Sequence, residues 1–586
     1  MSKVGGKAFD FKLFLKVLGY AKPYQRLFTF SMILTVLLGA LGTARPILIR
    51  QVIDDAILGY DAPMLLKLTF MLVGLLVIES IGQFGFMYAA NWLGQSIIKD
   101  IRVELYDKLQ TFRLQFYDKT PIGQLVTRVV SDIETISQIF SQGILVIFGD
   151  LFRILVMLGA MFFFFHPILV LVSLSIIPVL FIATRWFQRG IKGAFQRVRN
   201  EVSNLNTFVQ EHLGGMSIVQ AFGREEQEFD KFKTINDRHR NANVESIFYY
   251  ALFFPIIEVL SAISIGLAVW YGGMNAAVGG SVTVGELTAM IIFIGMLFRP
   301  LRQLADRFNT LQMGMVASER VLNLLDSNHE VEPNGDIRLG KLEGDIVFDQ
   351  VYFHYKENEP ILKEVSFSVA PGETVAIVGA TGAGKSTIIS VLMGFYPYTK
   401  GSVQIDGNEL TSLDLHTLRQ QMALVLQDVF LFSDTVRSNI VLGNQHITDI
   451  EIMQAANDIG IEEFIDGLPQ GLDYNVQERG GVLSAGQRQL LAFLRAYITD
   501  PQVLILDEAT SSIDSHTEEL IQRALIALTQ DRTSVIIAHR LSTIQHADKI
   551  VVLDKGVVVE TGGHQALLKS KGAYYRLYEK QFAAEV

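Results

Sequence analysis

The 586 residues of this chain are too many for one ordinary hydrophobic core, so several domains are expected. Half of the residues are hydrophobic and 19% are charged, a mixture that predicts a protein lying partly in a membrane and partly in water. The net charge of −10 excludes the broad basic surface that nucleic-acid binding requires. The absence of cysteine excludes disulfides, thiolate metal ligands and a cysteine nucleophile.

The first 25 residues carry five lysines among apolar residues, without an apolar core followed by a small-residue cleavage site. This pattern is not typical of a removable signal peptide. It predicts an amphipathic elbow helix over residues 1–25 that lies at the membrane surface with its lysines reaching into water. A plain extension of the first membrane span is the alternative.

The next segment, residues 26–326, is expected to form a transmembrane domain. Apolar runs long enough for a helix to cross a bilayer cover residues 27–48, 65–88, 144–165, 168–183, 247–271 and 284–298. The connections after the second and fourth runs are long and basic, whereas the others are short and poor in lysine and arginine, apart from Arg50. By the positive-inside rule the basic connections face the cytoplasm, which places both termini there.

The two basic connections are expected to be helical. Apolar residues recur at helical spacing over 97–112 and 202–222, so the spans continue as long helices below the membrane. Each connection also contains helix breakers among charged residues, at 116–123 and 211–216. These two bends are predicted to contact a cytoplasmic domain.

Four ionisable residues fall inside the predicted spans, where charge is costly and is often functional. They are Glu79, Asp150, Arg153 and Glu258. Contact with a substrate is one interpretation. The alternatives are a local ion pair between Asp150 and Arg153, which share a helical face, and positions near the membrane interface for the other two.

A soluble domain follows the last apolar run. Residues 327–345 contain proline and glycine and are typical of a linker. From residue 346 to 586, short β-branched runs alternate with helical ones, which predicts an α/β domain with a largely parallel sheet.

A phosphate-binding loop at 379–386 follows the predicted strand 375–378 and precedes a helical segment. Its glycines let backbone N–H groups wrap a triphosphate, Lys385 neutralises the β and γ oxygens, and the Ser386 hydroxyl can bind Mg²⁺. The residues of this segment expected to bind the nucleotide are Gly379, Thr381, Gly382, Gly384, Lys385, Ser386 and Thr387. The fold class is therefore an all-α six-helix transmembrane domain followed by an α/β P-loop ATPase domain.

A second apolar strand, at 503–506, ends in Asp507 and Glu508. Asp507 is expected to hold magnesium, directly or through water, and Glu508 to polarise the attacking water. Helix capping is the structural alternative for acids at a strand end. The two motifs together predict ATP and Mg²⁺ as cofactors and ATP hydrolysis as the reaction.

With the stretch Leu483-Ser484-Ala485-Gly486-Gln487 shortly before that strand, the whole chain resembles an ATP-binding cassette (ABC) exporter half-transporter. The resemblance implies that Tyr355 stacks on adenine, that Gln427 links magnesium to the membrane domain and that His539 contacts the γ-phosphate. Without it, Tyr355, Gln427 and His539 could equally be a strand aromatic, a surface amide and a strand-end histidine.

In such proteins the signature stretch 483–487 binds the γ-phosphate held by the other copy's phosphate loop. Ser484 and Gly486 at a helix start offer hydroxyl and N–H donors to an anion. Gln487 belongs to the same motif. The resemblance also implies that Asp514 lies in a loop, 512–514, that crosses between cassettes, and that residues 478–480 form the segment touching the membrane-domain bends. Each chain then supplies half of each ATP site, so a dimer is required.

The signature departs from the usual pattern at Ala485, which stands where such proteins carry glycine. Its methyl group crowds the approach of the backbone slightly, and mildly altered signatures resemble the catalytically intact half of asymmetric heterodimers. A homodimer and a heterodimer are both compatible with this.

The preferred hypothesis is ATP-driven export, or flipping from the inner to the outer leaflet, of a lipophilic or amphipathic substrate by alternating access. An ATP-gated regulator or channel of the same architecture is the alternative, disfavoured because Lys385, Glu508 and His539 are all present. An importer component is disfavoured because the membrane and ATPase parts share one polypeptide. The half-size format predicts a bacterial cell (inner) membrane protein in contact with the bilayer, and no residue pattern identifies the substrate.

Overall fold

The computed structural model describes residues 11–444, 446–507, 514–538 and 540–581. It contains two compact units. The helical unit is Met1–Gln110 with Ile122–Asn328, and the sheet unit is Thr111–Pro121 with His329–Val586. The second unit therefore includes a short segment from the middle of the membrane half, which the sequence patterns alone do not assign to it.

The N-terminal half of the chain is almost entirely helical. Its helices are α1 Phe11–Gly19, α2 Gln25–Gln51, α3 Ala62–Gln110, α4 Leu114–Lys119, α5 Ile122–Thr127, α6 Ile133–Gln138, α7 Leu145–Phe164, α8 Pro167–Leu174, α9 Ile177–Gly214, α10 Met216–Ala221, α11 Glu225–Ala277 and α12 Val284–Leu325. Short π-helical segments at Val52–Ile57, Arg128–Asp132 and Ile139–Ile144 extend some of them. Of these helices, α4 belongs to the sheet unit.

Five helical stretches in the described part of the chain are long and apolar enough to cross a membrane. They are Lys22–Ile57, Ala62–Gln110, Ile122–Phe164, Pro167–Gly214 and Glu225–Ala277. These stretches cover the first five predicted runs, except for residue 165 at the end of the third. The sixth predicted run, 284–298, forms the start of α12, and its role as a span stays a prediction. The long connections are helical, as expected, because α3, α9 and α11 continue far beyond their apolar portions.

Both predicted bends interrupt helices at their breaker residues. The first break separates α4 from α5 at Thr120–Pro121, since a residue before proline avoids the helical region. The second lies at Gly215, between α9 and α10. The amphipathic segment near the N-terminus forms α1, where the Lys16 ammonium lies 2.6 Å from the Asp326 carboxylate in the same unit.

The sheet unit contains two sheets. A six-stranded sheet has the order β10-β9-β3-β8-β7-β6, and a four-stranded antiparallel sheet has the order β2-β1-β4-β5. The strands are β1 Ile346–His354, β2 Pro360–Val369, β3 Thr374–Val378, β4 Lys400–Ile405, β5 Asn408–Glu409, β6 Met422–Val425, β7 Val503–Asp507, β8 Thr533–Ile537, β9 Lys549–Asp554 and β10 Val557–Gly562.

The helices of the sheet unit after α4 connect and flank these strands. They are α13 Lys385–Leu392, α14 Leu415–Arg419, α15 Val436–Val441, α16 Asp449–Asp458, α17 Glu462–Asp466, α18 Ala485–Ile498, α19 Ser515–Thr529, α20 Leu541–His546, α21 His564–Ser570 and α22 Ala573–Gln581. Hydrophobic clusters cover both faces of the six-stranded sheet, which explains why β3, β7 and β8 are buried along almost their whole length.

The parallel part of the sheet agrees with the sequence prediction, and the antiparallel sheet is an addition to it. β3 pairs in parallel with β8 and β9, and β7 with β6 and β8. β2 instead alternates buried and exposed residues along much of its length, which is typical of an antiparallel strand with one face in water. The carboxyl ends of the parallel strands meet at one edge, where an open α/β sheet binds its ligands.

Candidate nucleotide-binding site

The phosphate-binding loop joins β3 to α13 and depends on glycine at two positions with different constraints. At Gly379 a Cβ atom would lie 2.2 Å from the carbonyl oxygen of Leu553, so no side chain fits there. Gly384 has a φ of 106°, a left-handed conformation that L-residues rarely adopt. These glycines bring the backbone into a turn that ends at the N-terminus of α13, where N–H groups and the helix dipole favour an anion.

Lys385 is held inside this loop. Its side chain is only 7% exposed, and its ammonium group donates hydrogen bonds to the carbonyl oxygens of Gly379, at 2.7 Å, and Ala380, at 3.2 Å. Burial lowers the pKa of Lys385, and the nearby Asp507 carboxylate opposes that shift. A partly desolvated cation wrapped by the loop is suited to pair with a phosphate anion.

Two strand ends supply oxygen atoms that lie close together. The Ser386 hydroxyl, in the first turn of α13, donates to the Asp507 carboxylate at 3.1 Å. Asp507 ends β7, which is separated from β3 by β8 alone. A hydroxyl and a carboxylate at this distance form the hard oxygen donor set that Mg²⁺ prefers.

The ring of Tyr355 lies beside the helix that follows the loop. Its hydroxyl is 3.4 Å from the Thr387 hydroxyl, and its ring makes edge-to-face contacts with Phe353 and Tyr396, at centroid distances of 4.7 and 5.0 Å. The side chain remains 40% exposed. Two aromatic neighbours fix the ring while leaving part of it open to a planar ligand.

Three further predicted residues follow ends of strands in the same sheet. Gln427 is exposed and comes two residues after β6. Glu508 directly follows β7 and His539 follows β8 by two residues, but both lie outside the described residues. Gln427 therefore follows the carboxyl end of β6, at the sheet edge where Asp507 ends β7.

The signature stretch lies at the start of α18. Ser484 is its N-cap: the Ser484 hydroxyl accepts from the backbone N–H of Gln487, and the Gln487 side chain accepts from the backbone N–H of Ser484. This capping box fixes the helix start, Gly486 is buried beneath it, and the Ala485 methyl is exposed. Within the described residues, no hydrogen bond joins the signature to the phosphate loop of the same chain.

Asp514 caps a helix, a role that the sequence analysis did not predict. Its carboxylate accepts from the backbone N–H of Thr517 at 2.9 Å and caps α19, and this hydrogen bond lowers the pKa of Asp514. Its predicted partners in the crossing loop, Ser512 and Ile513, lie outside the described residues. Residues 478–480 form a tight turn in which Arg479 adopts a φ of 54°.

The sheet unit also contains a contact that the sequence did not indicate. The Tyr396 hydroxyl donates to the carboxylate of Asp118 on α4, inside the first predicted bend. Near α4, the backbone N–H of Arg113 donates to the carbonyl of Glu330 at 2.9 Å. Tyr396 thus touches both Tyr355 and the bend, a role for which its sequence context, 396 in a Phe-Tyr-Pro-Tyr run, carries no recognisable signal.

Three of the four predicted intramembrane ionisable residues lie together. Glu79, Asp150 and Arg153 line one cavity of the helical unit. Arg153 pairs with Glu79 at 3.6 Å, not with its helical neighbour Asp150, so the predicted local pair is replaced by a pair between α3 and α7. Glu258 lies on α11 and does not line this cavity.

Comparison with known proteins covers both halves of the chain. Residues 28–301 match the ABC transporter transmembrane region, and residues 362–511 match the ABC transporter family. The ABC transporter ATP-binding protein YknV of Bacillus subtilis is 37% identical over 586 residues, covering 99% of this chain and 96% of that protein. The ATP-dependent lipid A-core flippase 1 of Colwellia psychrerythraea is 33% identical over 581 residues, covering 97% and 96%.

A solved structure is similar over almost the full length. The structure of a bacterial Atm1-family ABC exporter with ATP bound has a TM-score of 0.77 and 28% identity, and the match covers 96% of this chain and 99% of that one. The resemblance inferred from the motifs therefore extends to both units.

Proposed function

Because this chain belongs to the ABC transporter family, as an exporter half-transporter whose transmembrane region and ATPase share one polypeptide, we propose that it exports or flips a lipophilic or amphipathic substrate by alternating access. Membership establishes an ATPase coupled to transport in a multi-pass membrane protein of bacterial type, and it implies a dimer. We propose, in addition, the mechanism, the magnesium site, the partner and the substrate class.

One observation carries the proposal for the ATP site. The phosphate loop, Lys385, Ser386 and Asp507 are assembled within one chain, while the capped start of α18 makes no hydrogen bond to them among the described residues. A helix N-terminus binds anions through its backbone N–H groups and its dipole. We infer that Ser484, Gly486 and Gln487 complete the site of a second half-transporter.

Each residue has a physical role in this proposal. Lys385 and the N-terminus of α13 bind the phosphates, Tyr355 stacks on adenine, and Gln427, which is exposed just after β6, links magnesium to the membrane domain. Ser386 and Asp507 would hold Mg²⁺, which neutralises phosphate charge when bound. Glu508 orients the attacking water and accepts its proton, and His539 contacts the γ-phosphate.

ATP binding is coupled to the conformation of the transporter because ATP binds the open and the closed pair of ATPase units with different affinities. ATP shifts a conformational equilibrium only by the difference between its affinities for the two states, and a closed pair of ATPase units adds the signature contacts to the γ-phosphate. The closed pair is then favoured until hydrolysis removes those contacts. The membrane helices would face outward in the closed state and inward after reset.

The partner is a second half-transporter, identical or different, and Ala485 is compatible with either. Both termini are proposed to lie in the cytoplasm, since the basic connections flank α4 and α10. Co-purification from the native membrane of one species or of two different subunits decides between the homodimer and the heterodimer.

The central test is Glu508→Gln in the purified dimer. The amide keeps the shape of the side chain but cannot accept the proton from water, so ATP hydrolysis should fall by about 100-fold or more while ATP binding persists. Hydrolysis is measured by phosphate release and binding by retention of radiolabelled ATP. Undiminished hydrolysis in the variant would refute the role of Glu508.

A further inference from the structure

Four helices of the helical unit enclose a polar cavity of about 660 Å³. Helices α2, α3, α7 and α12 contribute to its wall. Its charged lining residues are Arg45, Glu79, Asp150, Arg153, Arg299 and Arg307. Apolar side chains, among them Phe86, Met87 and Met296, line the same space. The cavity therefore combines charged groups with hydrocarbon within the membrane-spanning part of the chain.

The charges in this cavity do not balance. Among the described lining side chains, four arginines against two carboxylates leave a net charge of +2. Arginine keeps its charge in proteins, so the excess cannot be removed by losing protons. In surroundings of low dielectric constant an uncompensated cation is costly, and a persistent excess is typical of a site that receives an anion.

The hydrogen bonds of these side chains are also incomplete. Arg153 Nε and Arg307 Nε are buried without a hydrogen-bond partner among the described residues, as are two carboxylate oxygens, Glu79 Oε2 and Asp150 Oδ2. The excess of arginines over carboxylates among the described lining residues therefore decides which sign of ligand charge the cavity favours. The Arg45 guanidinium contacts a thioether, with Nη2 at 3.7 Å from Met296 Sδ, a weak acceptor. Arg307 donates to an amide oxygen and a carbonyl oxygen, at 3.2 and 3.5 Å. Donors of three arginines are thus available to an acceptor from outside.

The position of Arg153 is fixed by its neighbours. Its Nη2 lies 3.6 Å from Glu79 Oε1, and a Cβ atom at Gly42 would come within 2.5 Å of the same Nη2. A glycine on α2 therefore makes room for the guanidinium. One carboxylate holds this arginine in place while its Nε remains unpaired, which is the arrangement of a prepared anion-binding group.

We propose that this cavity binds the anionic head group, a phosphate or a carboxylate, of an amphiphile whose hydrocarbon tail lies against the apolar lining. The inference rests on the proposed export function and specifies its substrate class. Arg45, Arg299 and Arg307 recognise the anion, and Arg153 adds a donor from α7. A cationic amphiphile is disfavoured by the net positive charge, and a neutral one leaves the guanidinium donors unpaired.

The test uses amphiphiles with the same twelve-carbon tail and different head groups. Binding of dodecyl phosphate, dodecanoate and dodecyltrimethylammonium is measured without nucleotide, on the full dimer in phosphatidylcholine nanodiscs, by titration calorimetry. The two anions should bind at least about tenfold more tightly than the cation, because a charge-assisted hydrogen bond to arginine contributes on that scale. Equal or tighter binding of the cation overturns the proposal.

The variant Arg299→Gln should weaken anion binding by about tenfold and leave cation binding unchanged, while Arg299→Lys, which keeps the charge, should retain most of the affinity. Arg26→Gln is the matched control, since Arg26 is exposed at the start of α2 and lies outside the cavity. Arg45→Gln provides a second variant if the first fails to fold. Equal anion affinities in the Arg299→Gln and Arg26→Gln proteins contradict the assignment.

Two further measurements distinguish a site for amphiphiles from a site for small anions, and test the export function separately. Inorganic phosphate at the same concentration should compete weakly, because it lacks the tail; full competition would show a site for small anions and overturn the amphiphile proposal. ATPase stimulation by the same compounds tests the export function separately. Selective anion binding without ATPase stimulation would contradict the export proposal and support the anion site. ATPase stimulation by the cation alone would contradict the anion site and support the export proposal.

Discussion

The contact between Tyr396 and α4 makes a quantitative prediction about the first bend. Tyr396 is 7% exposed, and burial together with its hydrogen bond to Asp118 raises the pKa of the phenol, so it acts as a donor at every physiological pH. The substitution Tyr396→Phe keeps the ring, and with it the packing against Tyr355 and Phe353. It removes only the hydroxyl.

The magnitude follows from the surroundings of the acceptor. A hydrogen bond to a charged group contributes about 1.5–3 kcal/mol. Asp118 is exposed, so its carboxylate regains water when the phenol is lost, which favours the lower end of that range. A loss of about 1.4 kcal/mol changes a local opening equilibrium tenfold. The segment Thr111–Pro121 should therefore open about ten times more often.

Amide hydrogen exchange measures this opening directly. The backbone N–H of Arg113 is bonded to Glu330, and that of Glu332 to Thr111, so both amides exchange only when the segment detaches from the rest of the sheet unit. In Tyr396→Phe, peptides covering these two amides should exchange about tenfold faster. Peptides from α18 or β7 should exchange at the original rate.

Tyr398→Phe is a matched control two residues away. The Tyr398 hydroxyl donates to Glu409 within the antiparallel sheet, and burial and this bond raise the pKa of Tyr398 to about 12. Losing it should affect peptides near Glu409 and not those near Arg113. If the exchange of Arg113 is the same in both variants, or unchanged from the original protein, the Tyr396–Asp118 bond does not hold the bend.

Two predictions concern the ATP site. Gly384→Ala places a Cβ on a residue with a φ of 106°, 3.0 Å from Leu362 Cδ2, so ATP affinity, measured with a fluorescent analogue, should fall at least about tenfold. Gly460→Ala is the control for backbone strain alone, because Gly460 has a φ of 73° and open space around its Cβ position. Equal ATP affinities in the two variants would contradict the argument. Asp507→Asn should abolish the increase in ATP affinity that Mg²⁺ gives and should remove the spectroscopic signal of bound Mn²⁺, because an amide is a weaker ligand than a carboxylate; retention of that signal would rule out Asp507 as a ligand.

Sequence patterns predicted those parts of the structure that depend on residues close together in the chain. The phosphate loop was predictable because its glycines, lysine and serine have fixed spacing between a strand and a helix. The motifs that follow β3 and end β7 share one edge of the sheet because parallel strands end at the same side. The antiparallel sheet was missed because β1 and β2 lie outside the βα repeats that indicated a parallel sheet.

Contacts between distant segments were beyond these patterns. The local pair of Asp150 and Arg153 was favoured by their spacing, yet Arg153 pairs with Glu79, 74 positions earlier in the chain. The excess of arginine in the cavity was also hidden, because Arg45 and Arg299 come from separate helices and neither is unusual within its own sequence. Tyr396 and Asp118 likewise lie 278 positions apart. Only the packed structure shows which charges share a space.

The contacts of Tyr396 connect the proposed nucleotide site to α4 within the sheet unit. In the proposed site Tyr355 stacks on adenine, its ring contacts Tyr396, and Tyr396 donates a hydrogen bond to Asp118 on α4. ATP binding and the opening of the segment Thr111–Pro121 are therefore expected to be linked. The exchange experiment on Tyr396→Phe, repeated with and without ATP, measures that linkage: faster exchange that ATP no longer slows in the variant supports it, and equal ATP protection in both proteins contradicts it.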